Sequence, residues 1–237
     1  MERVVIIGGT SGIGLATAAR LARTGREVVI TGRDEARLEG ALKELGAGVS
    51  GRAADARDAG AMRALFAGLG SVDHVVITVT GRQGVGPLAE LTPETLREAV
   101  ENKLVAQVLA AQAALPVLAG NGSLTFVSAS SAGAAYPGVA GVAAVNGAIE
   151  AMVPGLAVEL APRRVNAVSP GVIDTPWWDW LGEEARPAVL DSFAASTAVG
   201  RVGLPDDVAR AIEYLVDGGF TTGTVLTVDG GGRLKVA

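Results

Sequence analysis

Val4-Val5-Ile6-Ile7-Gly8-Gly9-Thr10-Ser11-Gly12-Ile13-Gly14 is the stretch that decides how this chain folds. Four consecutive β-branched residues read as a strand buried on both faces, the kind found in parallel sheets. The glycine-rich turn follows directly and runs into a stretch of helical period over 13–23, after which a second apolar run occupies 27–31. A diphosphate needs backbone N–H donors at close range and the positive end of a helix dipole. Side chains would obstruct that approach, which accounts for the glycines. Strand, glycine turn, helix and second strand in this order distinguish a dinucleotide cradle from a merely tight turn. Gly8, Thr10, Ser11, Gly12, Ile13 and Gly14 are the candidate phosphate contacts.

Outward from that unit the same rhythm continues. Strands are expected at 3–7, 27–31, 49–54, 73–79, 123–128, 164–168 and 224–228, and helices at 13–23, 34–45, 58–68, 93–118, 142–161 and 205–217. Alternating β and α units imply a doubly wound parallel sheet of about seven strands with right-handed crossovers, an α/β fold of Rossmann type. No linker or repeat divides the chain, so one domain over 1–237 is expected. Only 176–200 breaks the rhythm, with Pro176, Trp177, Trp178, Trp180 and Pro187 in an expected substrate lid. Ala143, Gly147, Ala151 and Gly155 form a small-residue ridge that admits a close neighbour, either the chain's own sheet or a second copy. Pro154 in the same helix removes one backbone bond, and a kink is expected there.

Composition narrows the function classes. The 33 glycines in 237 residues, roughly 14%, are about twice the usual share, but without a Gly-X-Y period. With 49% hydrophobic residues the chain is not a disordered one. There is no cysteine, so neither a disulfide framework nor a thiolate metal site, and the single histidine, His74, excludes a multi-histidine metal centre. A net charge of −5 without a Lys/Arg cluster argues against nucleic acid. The chain starts straight into its first strand, so no signal peptide is expected, and the uncharged apolar runs fall short of a membrane span. A cytoplasmic location is the expectation, and Asn121-Gly122-Ser123 is expected to be a turn.

The second strand ends Ile30-Thr31-Gly32-Arg33. An acidic residue there would mark NAD by accepting from a ribose 2′-hydroxyl. Gly32 takes that place and Arg33 follows, able to fork a 2′-phosphate, which favours NADP(H). Arg33 is alternatively a solvated charge at a helix start, beside Asp34 and Glu35.

Nearly the whole chain resembles the short-chain dehydrogenase/reductase family. Ala54-Asp55-Ala56 is similar to the family's adenine-contacting segment, and Asn102 to its catalytic asparagine. Ser128-Ala129-Ser130-Ser131-Ala132-Gly133 resembles its serine segment, with Ser130 the catalytic serine by spacing to Gly133. Val165-Asn166-Ala167-Val168-Ser169-Pro170-Gly171, with Ile173 and Thr175, resembles the segment that holds the nicotinamide end. Thr222-Gly223 and Val228-Asp229-Gly230-Gly231 resemble its last strand and turn. The resemblance implies a nicotinamide cofactor and an oxidoreductase. Two places depart from it. The family's Asn-Asn-Ala-Gly loop reads Thr78-Val79-Thr80-Gly81, retaining only Gly81. The family's catalytic Tyr-x-x-x-Lys aligns with Val142 and Asn146.

That second departure bears on the chemistry. Hydride transfer to a carbonyl leaves an alkoxide that needs a proton; the family's tyrosine donates it, and the lysine lowers that tyrosine's pKa. Valine and asparagine do neither. Tyr136 is a candidate substitute acid and otherwise a loop aromatic; Lys103 is a nearby charge whose helical position points it elsewhere than Asn102. His74 opens a strand, away from the strand ends where α/β sites lie. Ser130 polarises a carbonyl or caps its loop, and Asn146 bonds substrate or ribose or lies on the helix surface. Trp177, Trp178 and Trp180 either wall an apolar or aromatic substrate, with Val142 in the same pocket, or serve lid packing or a subunit contact; Gly84 and Gly86 are expected to border the pocket. The expectation is an NADP(H)-dependent oxidoreductase with an altered catalytic centre, acting on a small, largely apolar carbonyl, alcohol or activated alkene as a homodimer or homotetramer. The alternatives are a catalytically silent NADP(H)-binding homo-oligomer, or a non-redox lyase or isomerase. No metal is expected.

Overall fold

Val4 to Ile7 lie in the central strand β1 (Arg3–Ile7) and are buried. The structure, a computed structural model, describes residues 1–234. Strands β2 (Glu27–Gly32), β3 (Val49–Ala53), β4 (Val72–Ile77), β5 (Leu118–Val127), β6 (Arg164–Pro170) and β7 (Val225–Val228) complete one seven-stranded sheet. Their order is β3-β2-β1-β4-β5-β6-β7, with every pair parallel. The expected α/β fold is the observed one. Helices α1 (Gly12–Ala22), α2 (Glu35–Leu45), α3 (Ala59–Leu69), α4 (Pro93–Ala99), α5 (Ala106–Ala114), α6 (Ala140–Glu159), α7 (Gly182–Ala195) and α8 (Pro205–Asp217) lie between the strands along the chain.

Each sheet face buries its own apolar cluster. Met62, Phe66, Phe126, Ile149 and Val153 pack with alternate residues of β1 and β4, while Leu21, Leu38, Ile212 and Leu215 pack with the others. Each such side chain stabilises the fold by roughly 1.5–3 kcal/mol. Parallel strands covered on both faces place their C-terminal ends along one edge. Between β1 and β4 the strand order reverses, which opens a crevice at that edge.

Several sequence expectations are corrected. The expected helix at 93–118 is three segments: α4, a π-helical turn Val100–Val105, and α5, which stops at Ala114. A π turn inserts a residue into the hydrogen-bond ladder, and such turns recur at functional sites. Asn121 and Gly122 are not a turn but part of β5, where the register against β4 shifts between Val72 and His74. Within 176–200, Pro176–Leu181 is a 3₁₀ helix and α7 follows it. Pro187, in the expected lid, stands inside α7. Pro154 lies inside α6, as expected.

The small-residue ridge does not pack on the chain's own sheet. The buried face of α6 is Val145, Ile149, Val153 and Ala157, whereas Ala151 and Gly155 are exposed and a Cβ on Gly147 or Gly155 would meet no atom within 4 Å. By length and composition alone α6, which carries Glu150 and Glu159, is apolar enough to cross a bilayer. Its apolar face is instead part of the core.

Candidate active site

The glycine turn closes on the end of β4. Gly8 has φ +95°, a conformation open to glycine and strained for other residues, and its N–H and that of Gly9 both donate to Thr31 O. Those two N–H groups are therefore spent on the fold. Gly14 is tighter still, since a Cβ there would lie 2.2 Å from Gly8 O and 2.7 Å from Thr78 Oγ1. Thr78 donates its hydroxyl to the carbonyls of Ile7 and Gly8 at 3.1 and 3.0 Å, clamping the turn. The donors left facing the crevice belong to the start of α1, where Ser11 makes no side-chain cap and no acidic residue stands in the first turn. Helix starts of this kind attract anions.

At one side of this cradle Arg33 is exposed beside Asp34, whose side chain caps α2 by accepting from Arg37 N. Asp55 is held below the usual carboxylate range, first by hydrogen bonding from the Arg57 guanidinium and also by the nearby charge of Arg33. Arg57 forks onto Asp55 at 2.6–3.2 Å and also donates to Asn102 Oδ1 at 3.2 Å. Arg57 thus links two expected site residues and was missed by sequence, because its two partners lie on different segments.

The serine segment, α6 and the π turn meet at the ends of β5 and β6. Ser130 begins a 3₁₀ turn, Ser130–Ala132, and is half-buried. Asn146 reaches the neighbouring serine: its Nδ2 donates to Ser131 Oγ at 2.9 Å. Asn146 is 4% exposed and its Oδ1 is buried without a partner. It is not a helix-surface residue. Val142, in the first turn of α6, donates its N–H to Gly84 O at 3.2 Å, which sets Gly84 against the helix start. Gln107 also escaped the sequence reading; its Nε2 bridges Val79 O and Val127 O, tying the ends of β4 and β5.

Lys103, on the π turn, is buried and donates from Nζ to Ser128 O at 3.0 Å. Burial pushes its ammonium down to about 7 from 10.5, opposed by the charge of Glu150. Between those values the unfolded chain keeps a proton that the folded chain has released, so this group makes stability rise with pH across the window. From pH 6.5 to 9.5 the wild type is expected to gain on the order of 2–3 kcal/mol of unfolding free energy relative to Lys103→Met. Denaturant titrations at the two pH values check this; parallel changes in the two proteins would show that Lys103 keeps its ordinary pKa.

Gly171 follows β6 with its N–H on Val228 O, and a Cβ there would lie 2.7 Å from Asp229 Cα. Ile173 is buried, and Thr175 caps the 3₁₀ helix by accepting from Trp177 N. A Cβ on Gly12 would lie 3.2 Å from Thr175 Cγ2, so the glycine turn and the segment after β6 approach one another. Trp177 crosses the crevice and donates Nε1 to Gly81 O at 3.3 Å; Trp178 donates to Ile173 O at 3.0 Å. The two indoles meet edge to face at 4.6 Å, and Trp178 lies 5.7 Å from Phe193 of α7. Tyr136 packs edge-on to Phe193 and donates its hydroxyl to Gly232 O.

His74 lies at the opposite edge of the sheet, with Nδ1 2.8 Å from Ser123 Oγ and its pKa lowered by burial. The cleft of about 300 Å³ beside it, lined by Glu2, Asp73, Arg164 and Asp217, is remote from the glycine turn. No cluster of metal-ligating side chains exists among the described residues.

A family model described as Enoyl-(Acyl carrier protein) reductase matches residues 8–232. The chain is 34% identical over 253 residues to a short-chain dehydrogenase/reductase, malC, of Malbranchea aurantiaca, covering 99% of this chain and 95% of the relative. It is 34% identical over 245 residues to the granaticin polyketide synthase putative ketoacyl reductase 2 of Streptomyces violaceoruber, covering 97% and 95%. Among solved structures, the MalC Reductase/Diels-Alderase from Malbranchea aurantiaca matches with TM-score 0.90 at 31% identity, over 99% of this chain and 96% of that one. A small-chain dehydrogenase in complex with NADPH matches with TM-score 0.86 at 30% identity, over 98% and 99%.

Proposed function

Because the chain belongs to the short-chain dehydrogenase/reductase family, we propose that it is an NADP(H)-dependent oxidoreductase with an altered catalytic centre. The observation that carries this reading is the glycine cradle, whose close packing at Gly14 and uncapped α1 start leave N–H donors for a diphosphate at the point where the strand order reverses. The NADPH in a similar structure supports the same cofactor class. Arg33 forks the 2′-phosphate, and Asp55 with Arg57 borders the adenine. Asn146 Oδ1, buried and unpartnered, accepts from a ribose hydroxyl at the nicotinamide end. Gly81, Pro170, Gly171, Ile173 and Thr175 line that end.

Reduced nicotinamide, when bound, supplies the hydride. The Ser130 hydroxyl donates to the substrate carbonyl, and Asn102 steadies the π turn beside it. The alkoxide takes its proton from water or from Tyr136, whose hydroxyl then leaves Gly232 O. Val142, Trp177 and Trp178 wall a small, largely apolar carbonyl, alcohol or activated alkene, and the segment after Thr175 acts as its lid. The outward ridge on α6 supports a homo-oligomer. Val142 in the tyrosine position favours a second reading, a cofactor-binding oligomer without turnover.

NADPH is expected to bind and to be consumed with some member of a panel of ketones, quinones and enones, followed by its absorbance at high protein concentration. Tight binding without turnover across the panel selects the second reading. Tyr136→Phe lowers turnover if Tyr136 is the acid; an unchanged rate removes it. Arg33→Ala is expected to weaken NADPH by about tenfold or more and NADH hardly at all, since a charged hydrogen bond is worth about 1.5–3 kcal/mol. Equal losses for the two cofactors would refute the clamp.

A further inference from the structure

Behind the serine segment lies a buried cluster that the proposed reaction leaves unused. Lys103 Nζ donates to Ser128 O at 3.0 Å, the Ser128 hydroxyl donates to Glu150 Oε1 at 2.7 Å, and the Ser169 hydroxyl donates to the same oxygen at 2.6 Å. Ser128 immediately follows β5, Ser169 is the penultimate residue of β6, and Glu150 stands one turn after Asn146 on α6. Lys103 is the neighbour of Asn102 on the π turn. One carboxylate and one amine therefore join the four segments that carry Asn102, Ser130, Asn146 and Pro170-Gly171.

Packing alone does not call for charge at this place. A buried ammonium beside a half-buried carboxylate is costly to desolvate, and apolar side chains of similar volume often serve stability as well or better. The charged groups around Lys103 are few. Glu150 faces it from α6; Glu101 on its own turn is exposed; the Arg57–Asp55 pair reaches Asn102 from α3's side of the crevice.

We propose, building on the nicotinamide-dependent reading, that Lys103 is a positioning residue which, with Glu150, holds the Ser128–Ser131 and Ser169–Gly171 segments in a fixed mutual register. A charged Nζ makes a charge-assisted bond to Ser128 O and is drawn to Glu150; a neutral amine makes a weaker bond and feels no such attraction. Loss of the Lys103 proton therefore loosens both segments together, although only one of them touches the lysine. Glu150 transmits the change, because its single oxygen is shared by the two serine hydroxyls.

The test reads the protein without cofactor first. Backbone amide shifts of Ser128–Ala132 and Ser169–Gly171 are followed by NMR from pH 5.5 to 9 in the wild type, Lys103→Met, Lys103→Arg and Glu150→Gln, each checked for cooperative unfolding. Both wild-type segments are expected to titrate with one shared midpoint near 7. Lys103→Met and Lys103→Arg lack that step, and Glu150→Gln moves it down by about one pH unit, the size of effect a neighbouring charge has. NADPH affinity near pH 6 is expected to fall about tenfold or more in Lys103→Met and to be restored in Lys103→Arg, whose guanidinium keeps the charge. Segments that do not titrate, or midpoints unmoved by Glu150→Gln, overturn the proposal. So does Lys103→Met binding NADPH as the wild type does. A wild type that binds no NADPH sinks the cofactor reading instead, and the amide titrations still decide the role of Lys103. Should Lys103→Met fail to fold, Lys103→Arg and Glu150→Gln carry the test alone.

Discussion

Gly14→Ala is expected to abolish measurable NADPH binding and to lower the unfolding temperature. The added Cβ would sit 2.2 Å from Gly8 O and 2.7 Å from Thr78 Oγ1. Neither contact is relieved by rotating a flexible side chain, because the first is to backbone and the second is to a hydroxyl already bonded to Ile7 O and Gly8 O. Overpacking of this kind costs about 1–3 kcal/mol, and the displaced backbone is the same backbone that presents the α1 donors. Gly40→Ala serves as the control. Gly40 lies inside α2 with nothing near its Cβ position, so the substitution is expected to stabilise by about 0.5–1 kcal/mol. Thermal melts and fluorescence titration with NADPH read both variants. A Gly14→Ala protein that binds as the wild type does would show that the turn is structural only.

The double substitution Val142→Tyr with Asn146→Lys is expected to raise ketone reduction by about 10²–10⁴-fold, the usual contribution of a positioned general acid. Val142 and Asn146 are one turn apart on α6, the spacing that places both side chains on one face. The Asn146 bond to Ser131 is lost in the exchange, so the rate gain is measured together with NADPH affinity. Retained affinity without a gain in rate would mean that a tyrosine acid at this position does not limit this protein, and would move weight to the reading without turnover.

How much of the site was legible in the sequence depended on whether its reason was local. Gly8 to Gly14 announce themselves, since a turn, a helix start and their spacing all lie within seven residues. Asn146 was identified by its helical position, yet two possibilities stood open; the structure showed a buried side chain with an unpartnered oxygen. Arg57 and Lys103 gave no comparable signal. The first matters through Asp55 and Asn102, 45 residues from Arg57 in the latter case, and the second through a carbonyl 25 residues away. Lys103 does point elsewhere than its neighbour Asn102, but its burial on a π turn against Ser128 O depends on segments distant in sequence.

The sequence by itself determined the sheet class and most of the strand positions, and it marked Gly8 to Gly14 as the candidate phosphate cradle, because periodicity and glycine spacing act over a few residues. Only the tertiary structure decided that Gly8 and Gly9 spend their N–H groups on Thr31, that the α6 ridge faces away from the sheet, and that Trp177 spans from the segment after β6 to Gly81. Each of these depends on partners brought together by strand order, and strand order is a long-range outcome of packing helices on two faces of one sheet.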